Sequence, residues 1–383
     1  MKVYFDHAAT APTDQKVVDA MLPYFTKQFG NASSLHEFGR EAKEALESSR
    51  QTIAEKINAE PDEIVFTSGG SESDNLALKG TAFALRPKGS HILTSKIEHP
   101  AVLSTCKQLE KEGFSVTYLS VDSEGFINLK ELESSITDKT TLVSIMHANN
   151  EVGVIQDLEA IGKVCARKGV CFHSDCVQSF TKVPIDVRRM NLNLASFSAH
   201  KIHGPKGVGA LYVKKGTKLY KQMEGGHHEH NLRAGTENIP GIVGFAKAVE
   251  LAKEEHIKHM VSLRDRLISE FLKISDTRLN GPRERRLCNN VNIAFKYVEG
   301  ESLLLRLDMK GVAVSTGSAC SSQSLKPSHV LIAIGMKPED AHGTLRFTLG
   351  RENTLKEVEY TIDAVREAVE QLRAMSPLVK RKG

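Results

Sequence analysis

Cysteine is sparse in this sequence, with six residues among 383, and no two of them form a CxxC pair. This spacing excludes a dense disulfide framework and offers no redox or metal motif. A long apolar run is also missing, since none approaches the roughly 20 residues that span a bilayer. The opening segment, residues 1–10, lacks the apolar core of a signal peptide. We therefore expect a cytoplasmic protein in a reducing compartment, without a membrane partner.

An excess of charge of one sign is absent as well. Lys and Arg number 51 against 47 Asp and Glu, which gives a formal net charge of only +4. So small an imbalance argues against direct binding of nucleic acid. Hydrophobic residues at 40% and charged residues at 26% are ordinary for a globular protein, and 383 residues are enough for two domains.

Short β-rich apolar segments alternate with longer helical patterns through the first two thirds of the chain. This rhythm predicts an α/β fold in which a mostly parallel sheet is covered on both faces. Such sheets bind ligands at the carboxyl ends of their strands. The predicted strands are 63–67, 91–94, 115–119, 142–146, 170–174 and 210–213, and the predicted helices are 37–58, 73–85, 101–112 and 158–168.

The last third of the chain has a different pattern. One helical stretch, from about 241 to 274, indicates a connecting helix. Beyond it, strands at 291–295, 312–315 and 344–348 predict a smaller α+β domain. We expect residues 14–258 to form the large domain, and residues 1–13 and 259–383 to form the small domain.

A glycine turn follows the first predicted strand of the large domain, in the segment TSGGSESDNLAL. Gly70 and Ser71 stand where the strand gives way to a helix, so backbone N–H groups and a hydroxyl there can bind a phosphate. The segment has neither the GxGxxG spacing nor the lysine of a P-loop. Taken alone, a capped helix after a glycine turn is the simpler interpretation.

Lys201 ends an apolar run in LASFSAHKIHGPKGVGALYV, directly after Ser198 and His200. Burial disfavours the ammonium form, so a lysine in this setting can form a Schiff base with an aldehyde cofactor. Asp175 closes another apolar strand and needs a cation, which the nitrogen of a pyridine ring would supply. The alternatives are a surface lysine on a turn and an aspartate that caps a helix.

Three further residues could take part in a reaction. His99, in the segment IEHP, could stack on a planar cofactor and move protons, or it could simply cap a helix. Cys320 lies in the polar segment VSTGSACSS, which suits a reactive thiolate better than a buried structural cysteine. Arg346, in TLRFTLGR, offers a planar fork for a carboxylate, with a surface arginine at a sheet edge as the alternative.

Three histidines cluster in the segment GGHHEHNL: His227, His228 and His230. Zinc binding is the weaker interpretation, because no cysteine or second ligand cluster stands nearby at metal spacing. We predict no metal site.

Together these segments resemble the cysteine desulfurases, the NifS/IscS-like family of the class V aminotransferase group. The resemblance runs from YFDHAATAP to LRFTLGR and covers almost the whole chain. Its most specific segments are SGGSESDNLA, HANNEVGVIQ, SFSAHKIHGPKGVGALY, LRAGTEN and TGSACSS, in the order of the family. It implies a fold type I transferase, with a seven-stranded sheet in the large domain, that uses pyridoxal 5'-phosphate.

The resemblance also implies a role for each residue. Lys201 would bind the cofactor covalently and act as base on the substrate, and Cys320 would take sulfur from L-cysteine as a persulfide and leave L-alanine. The remaining implied roles are cofactor contacts by Asp175, Gln178, His99, Gly70, Ser71, Ser198 and His200, a phosphate contact by Thr236 of the neighbouring subunit of a homodimer, and binding of the substrate carboxylate by Asn150 and Arg346.

The family passes its sulfur to other proteins, so the resemblance implies a scaffold or acceptor partner in iron–sulfur cluster assembly or tRNA thiolation. A selenocysteine lyase or another class V enzyme would keep Lys201 and Asp175, but ordinary transamination has no use for the Cys320 thiol. A non-catalytic scaffold is the alternative from a different class. It has no reason to keep these three residues together.

Overall fold

The computed structural model describes residues 1–316 and 327–376. The strands of this part of the chain are β1 (Val3–Tyr4), β2 (Ile64–Thr67), β3 (His91–Ser95), β4 (Ser115–Leu119), β5 (Thr140–Ser144), β6 (Cys171–Asp175), β7 (Leu194–Ser198), β8 (Gly209–Val213), β9 (Thr277–Leu279), β10 (Asn290–Phe295), β11 (Val312–Ala313), β12 (Ser315–Thr316) and β13 (Thr344–Thr348).

The helices of the same residues are α1 (Gln15–Met21), α2 (Pro23–Thr26), α3 (Glu37–Lys56), α4 (Gly70–Leu85), α5 (Pro100–Lys111), α6 (Leu129–Ser135), α7 (Leu158–Lys168), α8 (Ile239–Glu250), α9 (Glu254–Phe271), α10 (Gly300–Met309), α11 (His329–Ala333), α12 (Pro338–Ala341) and α13 (Leu355–Met375). Within these residues, no helix combines the length and the apolar character that crossing a bilayer requires.

A seven-stranded sheet forms the centre of the large domain, with the strand order β2-β8-β7-β6-β5-β3-β4. The strands β4, β3, β5, β6 and β7 run parallel to one another, and β8 pairs antiparallel with both of its neighbours. The predicted mostly parallel α/β sheet is confirmed. The antiparallel position of β8 was not part of that prediction.

Side chains alternate between the two faces of this sheet. Ile64 and Phe66 pack into a core with α3, α7 and α8, whereas Val65 between them packs into a second core with α4 and α5. Leu142 and Val143 of β5 divide in the same way between the second core and the first. Because helices cover both faces, the central strands carry apolar residues on both faces, which is why they could be recognised in the sequence.

Local residues fix where the helices begin and end, and the ends of α7 are an example. Asp157 begins α7 by accepting a hydrogen bond from Ala160 N at 3.0 Å, and Gly169 ends it at a φ of +65°. At this φ a residue without a β-carbon is favoured, so the helix stops there and the chain enters β6.

A second, four-stranded sheet, in the order β12-β13-β10-β9, belongs to the last third of the chain. Its core includes residues of α9, α10 and α13, and the short pair β1–β11 ties the first residues of the chain to this region. The architecture therefore agrees with a smaller α+β unit that includes the amino terminus. The exact domain boundaries at residues 13 and 258 stay a prediction.

The single connecting helix expected over 241–274 is wrong. The structure has two helices, α8 and α9, and Lys253 between them adopts an extended backbone with φ −123° and ψ 154°. Phe245 of α8 packs into the core of the large sheet, while Leu267 of α9 packs into the core of the small sheet. Each helix has its own apolar face, so apolar residues recur at helical spacing on both sides of the break. The sequence pattern therefore does not show where one helix ends and the next begins.

Candidate active site

A cavity of about 400 Å³ opens at the carboxyl ends of the parallel strands, where residues of both sheets meet. Ten of the twelve site residues expected from the sequence line this cavity: Gly70, Ser71, His99, Asn150, Asp175, Gln178, Ser198, His200, Lys201 and Arg346. Residues that are far apart in the sequence are thus brought together as the topology of the sheet requires.

The two other proposed residues are not placed in this cavity. Thr236 is exposed and does not line it. Its expected role concerns a neighbouring subunit, so its position within one chain leaves that role a prediction. Cys320 lies outside the described residues.

The turn between β2 and α4 forms one wall of the cavity. Gly69 has a φ of +155°, a conformation that favours glycine, and Glu72 accepts a hydrogen bond from Ser68 N at 2.7 Å. A β-carbon on Gly70 would lie 2.7 Å from Val177 Cγ2, so glycine lets the turn approach the loop after β6. The amino end of α4 therefore faces the cavity with its first N–H groups, as an anion site requires.

An outer opening adjoins this turn, with a volume of about 400 Å³ and a rim that includes Lys206. The four residues expected to bind phosphate lie at the boundary between the two spaces and line both: Gly70, Ser71, Ser198 and His200. His200 is held in place by a 3.1 Å hydrogen bond between its Nδ1 and Thr10 Oγ1, and burial together with Lys201 lowers its pKa to about 4. It is neutral at physiological pH.

Lys201 ends the short 3₁₀ turn that follows β7. Its Nζ donates hydrogen bonds to the carbonyl oxygens of Ala8 at 2.6 Å and Ala9 at 2.7 Å. Gln178 Nε2 donates to the same Ala8 oxygen at 3.0 Å. The amine and the amide therefore meet at one point of the amino-terminal segment, and the alternative of a surface lysine is wrong.

Asp175 is the last residue of β6 and is buried, with 6% of its surface exposed. Its Oδ1 accepts a hydrogen bond from Val177 N at 2.9 Å. Burial raises the pKa of this carboxyl group, while the nearby His99 and Lys201 act in the opposite direction. A cation placed in the cavity beside Asp175 would be stabilised, because it would relieve the cost of the buried negative charge.

His99 occupies the position that both of its interpretations require. It caps α5, since its Nδ1 accepts a hydrogen bond from Ala101 N at 3.1 Å, and it also lines the cavity. The occupied Nδ1 assigns the ring hydrogen to Nε2 in the neutral form. Burial lowers the pKa of the imidazole, the charge of Asp175 acts in the opposite direction, and Lys201 and His329 add to the lowering.

Arg346 belongs to β13, which pairs with both β10 and β12, and only 3% of its surface is exposed. The alternative of a surface arginine at a sheet edge is therefore wrong. Its Nη2 donates to Asp6 Oδ1 at 2.9 Å and its Nη1 to Asn150 O at 3.2 Å. Its buried Nε has no hydrogen-bond partner among the described residues. The guanidinium thus retains a donor, and Asn150 contacts it through a backbone oxygen.

Two acidic residues of the cavity were missed in the sequence analysis. Glu151 is hydrogen-bonded to Ser328, and burial raises its pKa to about 7. Asp74 lies in α4, 1% exposed, and burial with the nearby Asp175 raises its pKa well above the usual range. Both stand in segments that had been singled out for other reasons. No local signal marks either residue, because Asp74 stands between a serine and an asparagine and Glu151 follows two asparagines.

The histidines His227, His228 and His230 form the cluster for which we predict no metal site. Within residues 1–316 and 327–376, no group of three His, Cys, Asp or Glu side chains is arranged to hold a metal ion. His227 Nδ1 lies 3.1 Å from Asn231 Oδ1, and Glu229 turns inward to form an ion pair with Arg50 at 2.8 Å. This segment is thus anchored by a carboxylate.

The cavity fits a phosphate-bearing pyridine aldehyde in three independent ways. Gly70 and Ser71 bring the amino end of α4 to the cavity wall, where its N–H groups can bind an anion. Asp175 supplies a buried carboxylate for a protonated ring nitrogen, and Lys201 presents an amine to the same cavity. These are the groups that enzymes dependent on pyridoxal phosphate use to hold and activate that cofactor. The fold and the site therefore define an enzyme of this class.

Comparisons with known proteins give the family. Residues 3–361 match the model of the family described as Aminotransferase class-V, so the chain belongs to the class-V aminotransferase family, whose cofactor is pyridoxal 5'-phosphate. A relative named cysteine desulfurase IscS, from Dictyoglomus turgidum, is 52% identical over 98% of this chain and 96% of its own length.

Two solved structures are also similar. One, described as a NifS-like protein, has a TM-score of 0.92 and 39% identity, and the alignment covers 97% of this chain and all of the other. Another, described as SspA in complex with cysteine, has a TM-score of 0.84 and 38% identity over 92% of this chain and all of its own.

Proposed function

We propose that this protein is a cysteine desulfurase that converts L-cysteine to L-alanine and moves the sulfur onto Cys320. The observation that carries the proposal is that one cavity joins the Lys201 amine, the Asp175 carboxylate and the Arg346 guanidinium. The likeness to a relative named cysteine desulfurase, at 52% identity over nearly the whole chain, supports the choice of reaction.

The substrate carboxylate would bind at Arg346. This guanidinium is already oriented by Asp6 and by the carbonyl of Asn150, and its Nε remains to be satisfied within the described part of the chain. A fixed guanidinium loses little side-chain entropy when it binds a carboxylate. The similarity to a structure described as a complex with cysteine supports an amino acid in this position.

Proton movements are assigned to two residues. When bound, pyridoxal phosphate withdraws electrons from the substrate and so makes its α-hydrogen acidic and its C–S bond breakable. Lys201 would take the proton from the α-carbon. His99 would exchange protons through Nε2, because its Nδ1 is occupied by Ala101 N.

The sulfur step uses the thiolate of Cys320, which attacks the sulfur of the substrate. An S–S bond forms as the C–S bond breaks, and the bonding electron pair stays on the carbon, which then takes a proton. The products are L-alanine and a persulfide on Cys320, with no external oxidant or reductant. The acceptor of the persulfide sulfur, in iron–sulfur cluster assembly or tRNA thiolation, stays a prediction, as does a cytoplasmic setting.

A homodimer is part of the proposal. Thr236 is exposed and lies in the segment LRAGTEN, which supports its use by a neighbouring copy at the outer opening beside the phosphate turn. The four residues expected to bind phosphate line this opening together with Lys206, so the expected phosphate site is accessible from outside the chain.

The proposal is tested with Cys320→Ser in the full-length, cofactor-loaded protein. We expect an unchanged visible absorption band and loss of sulfide and alanine production from cysteine. Cys171→Ser removes a thiol that does not line the cavity and serves as the matched control, with activity retained. Sustained turnover by Cys320→Ser would refute the nucleophile, and a band that resists borohydride reduction would refute the covalent bond to Lys201.

A further inference from the structure

A second lysine contacts the backbone of two site residues. Lys182 is half-buried in the loop after β6. Its Nζ donates hydrogen bonds to the carbonyl oxygens of Gln178 at 3.0 Å and of Lys201 at 3.3 Å. Lys182 therefore binds the main chain of Gln178 and Lys201, the two residues whose side chains both donate to the carbonyl oxygen of Ala8.

Lys182 and Lys201 also share a small cavity of about 40 Å³, separate from the main one. A space of this size accommodates a water molecule but no substrate. It is bounded by the amino-terminal segment, the turn after β7, α9 and the loop after β13. The titratable and charged groups that face Lys182 or bound this cavity are His7, Cys288, Lys201, His203, His256, Lys253 and Arg351.

The balance of charge around this cavity is positive. Arg351 is paired with Asp14, so its charge is compensated. Burial lowers the pKa of His7 to about 3 and that of His203 to about 4, which leaves both rings neutral near pH 7. Burial lowers the pKa of Lys182 itself to about 8, so its ammonium form still predominates at pH 7.

The field of Lys182 extends into the main cavity. Its charge lowers the pKa values of His7, His203 and His200, and His200 is one of the four residues expected to bind phosphate. Lys201 lies between the two cavities and lines both of them. A positive charge at this position disfavours a second positive charge on the nitrogen of Lys201, whereas the nearby Asp175 carboxylate favours it, so the two charges oppose each other there.

We propose that Lys182 is a positioning residue of the active site, which fixes the backbone of Gln178 and Lys201 and keeps the Lys201 nitrogen in its proton-accepting form by its own positive charge. This inference rests on the proposed function, since it concerns the lysine that binds the cofactor. A purely structural role is the competing explanation. In that case the hydrogen bonds of Lys182 matter and its charge does not.

Three substitutions separate charge from hydrogen bonding. Lys182→Arg keeps both, Lys182→Gln keeps a donor and loses the charge, and Lys182→Met loses both. The measurement is the pH at which the visible absorption of the cofactor-loaded protein changes, together with cofactor retention and thermal unfolding. Lys253→Met is the matched control, because it removes an exposed lysine from the rim of the same small cavity.

We expect the absorption transition to move upward by about one pH unit in Lys182→Gln and Lys182→Met, because a positive charge that opposes protonation of the Lys201 nitrogen is lost. Lys182→Arg and Lys253→Met should titrate like the unaltered protein. If Lys182→Met does not fold, Lys182→Gln decides the matter. An unshifted transition in Lys182→Gln overturns the proposal and leaves only a structural role.

The proposed function fails in a different way. It is refuted if the unaltered protein, mixed with pyridoxal phosphate, gives no visible absorption band, or if borohydride reduction does not leave the cofactor covalently attached to Lys201. A normal, reducible band whose titration ignores Lys182 refutes only the proposal made here.

Discussion

Glu229 and Asp175 are both buried carboxylates beside the large sheet, and they have opposite surroundings. Glu229 accepts two hydrogen bonds from Arg50, both at 2.8 Å, and a third from Phe66 N at 2.6 Å on the edge strand β2. Asp175, at the end of the central strand β6, accepts a hydrogen bond from Val177 N. A guanidinium compensates the first charge, whereas the second faces an open cavity.

The cavity carboxylate has buried acidic neighbours. Asp74 and Glu98 are buried near it and Glu151 is buried in the wall of the same cavity, and burial is the largest cause of the raised pKa of each. A protein that only needed stability would pair such groups or replace them. The difference indicates that a carboxylate paired with arginine holds a loop in place, while uncompensated carboxylates mark the place where a cation binds.

The largest effect should come from breaking the paired region. Arg50→Met leaves Glu229 buried without its guanidinium, and both side chains are at most 3% exposed. We expect the free energy of unfolding to fall by about 3–5 kcal/mol. Urea unfolding measures this, with the double variant Arg50→Met/Glu229→Leu as the control that restores part of the loss. A change below about 1 kcal/mol would mean that the pair does not anchor this segment.

Asp175→Asn tests the other side of the comparison. Asparagine keeps an oxygen for Val177 N, so the fold should lose little stability. The negative charge that would hold a protonated ring nitrogen is gone, and we expect kcat to fall by about 10²–10³. Turnover of cysteine and urea unfolding are measured on the same preparation. A large loss of stability with retained turnover would reverse the roles assigned to Asp175 and Glu229.

Glu98→Gln tests whether burial without a cation costs stability. Folding raises the pKa of Glu98 from 4.5 to about 8, so the folded state binds more protons than the unfolded state between these values. The stability of the unaltered protein should therefore decrease as the pH rises through this window. Glutamine keeps an acceptor for Ser95 and Met146 N and cannot ionise.

We expect Glu98→Gln to be more stable than the unaltered protein by up to about 4 kcal/mol at pH 8 and nearly equally stable at pH 4.5. Thermal unfolding at the two pH values checks this. If the two proteins were equally stable at both pH values, the charge of Glu98 would have to be compensated, as Arg50 compensates Glu229.

The smallest effect concerns Glu151, whose pKa burial raises to about 7 although the charge of Arg346 acts in the opposite direction. Above pH 7 its negative charge would oppose the substrate carboxylate at that arginine, so the KM for cysteine should rise severalfold between pH 6 and 8. Glu151→Gln should remove most of this rise and leave kcat nearly unchanged, because an uncharged amide does not repel the substrate. A KM profile that keeps its slope in Glu151→Gln would contradict this assignment.

Much of the fold could be predicted from the sequence because the large sheet is buried on both faces. Strands such as Ser115–Leu119 and Thr344–Thr348 have the predicted bounds, since apolar β-rich segments end where turns begin. The order of the strands could not be derived in this way. It depends on pairing between distant segments, for example β2 with β8, and no local pattern records that pairing.

The same distinction applies to the site. Lys201 and Asp175 could be found because Asp175 ends a buried strand and Lys201 follows one by three residues, and parallel strands bring their carboxyl ends together. Glu151 and Lys182 could not, because their importance comes from burial against Ser328 and against the carbonyl of Lys201, which are distant in the sequence. Local composition at these two positions resembles that of an ordinary surface.

The hydrogen bonds of Lys201 to Ala8 and Ala9 have a consequence for the opening residues of the chain. An ammonium group has three hydrogens and can satisfy both carbonyls, at 2.6 and 2.7 Å. Once the nitrogen is joined to an aldehyde carbon it has at most one hydrogen, so at least one of the two carbonyls must find another donor. The opening segment is therefore a natural reporter of cofactor loading, and its amide exchange rates should differ between the cofactor-free and the loaded protein.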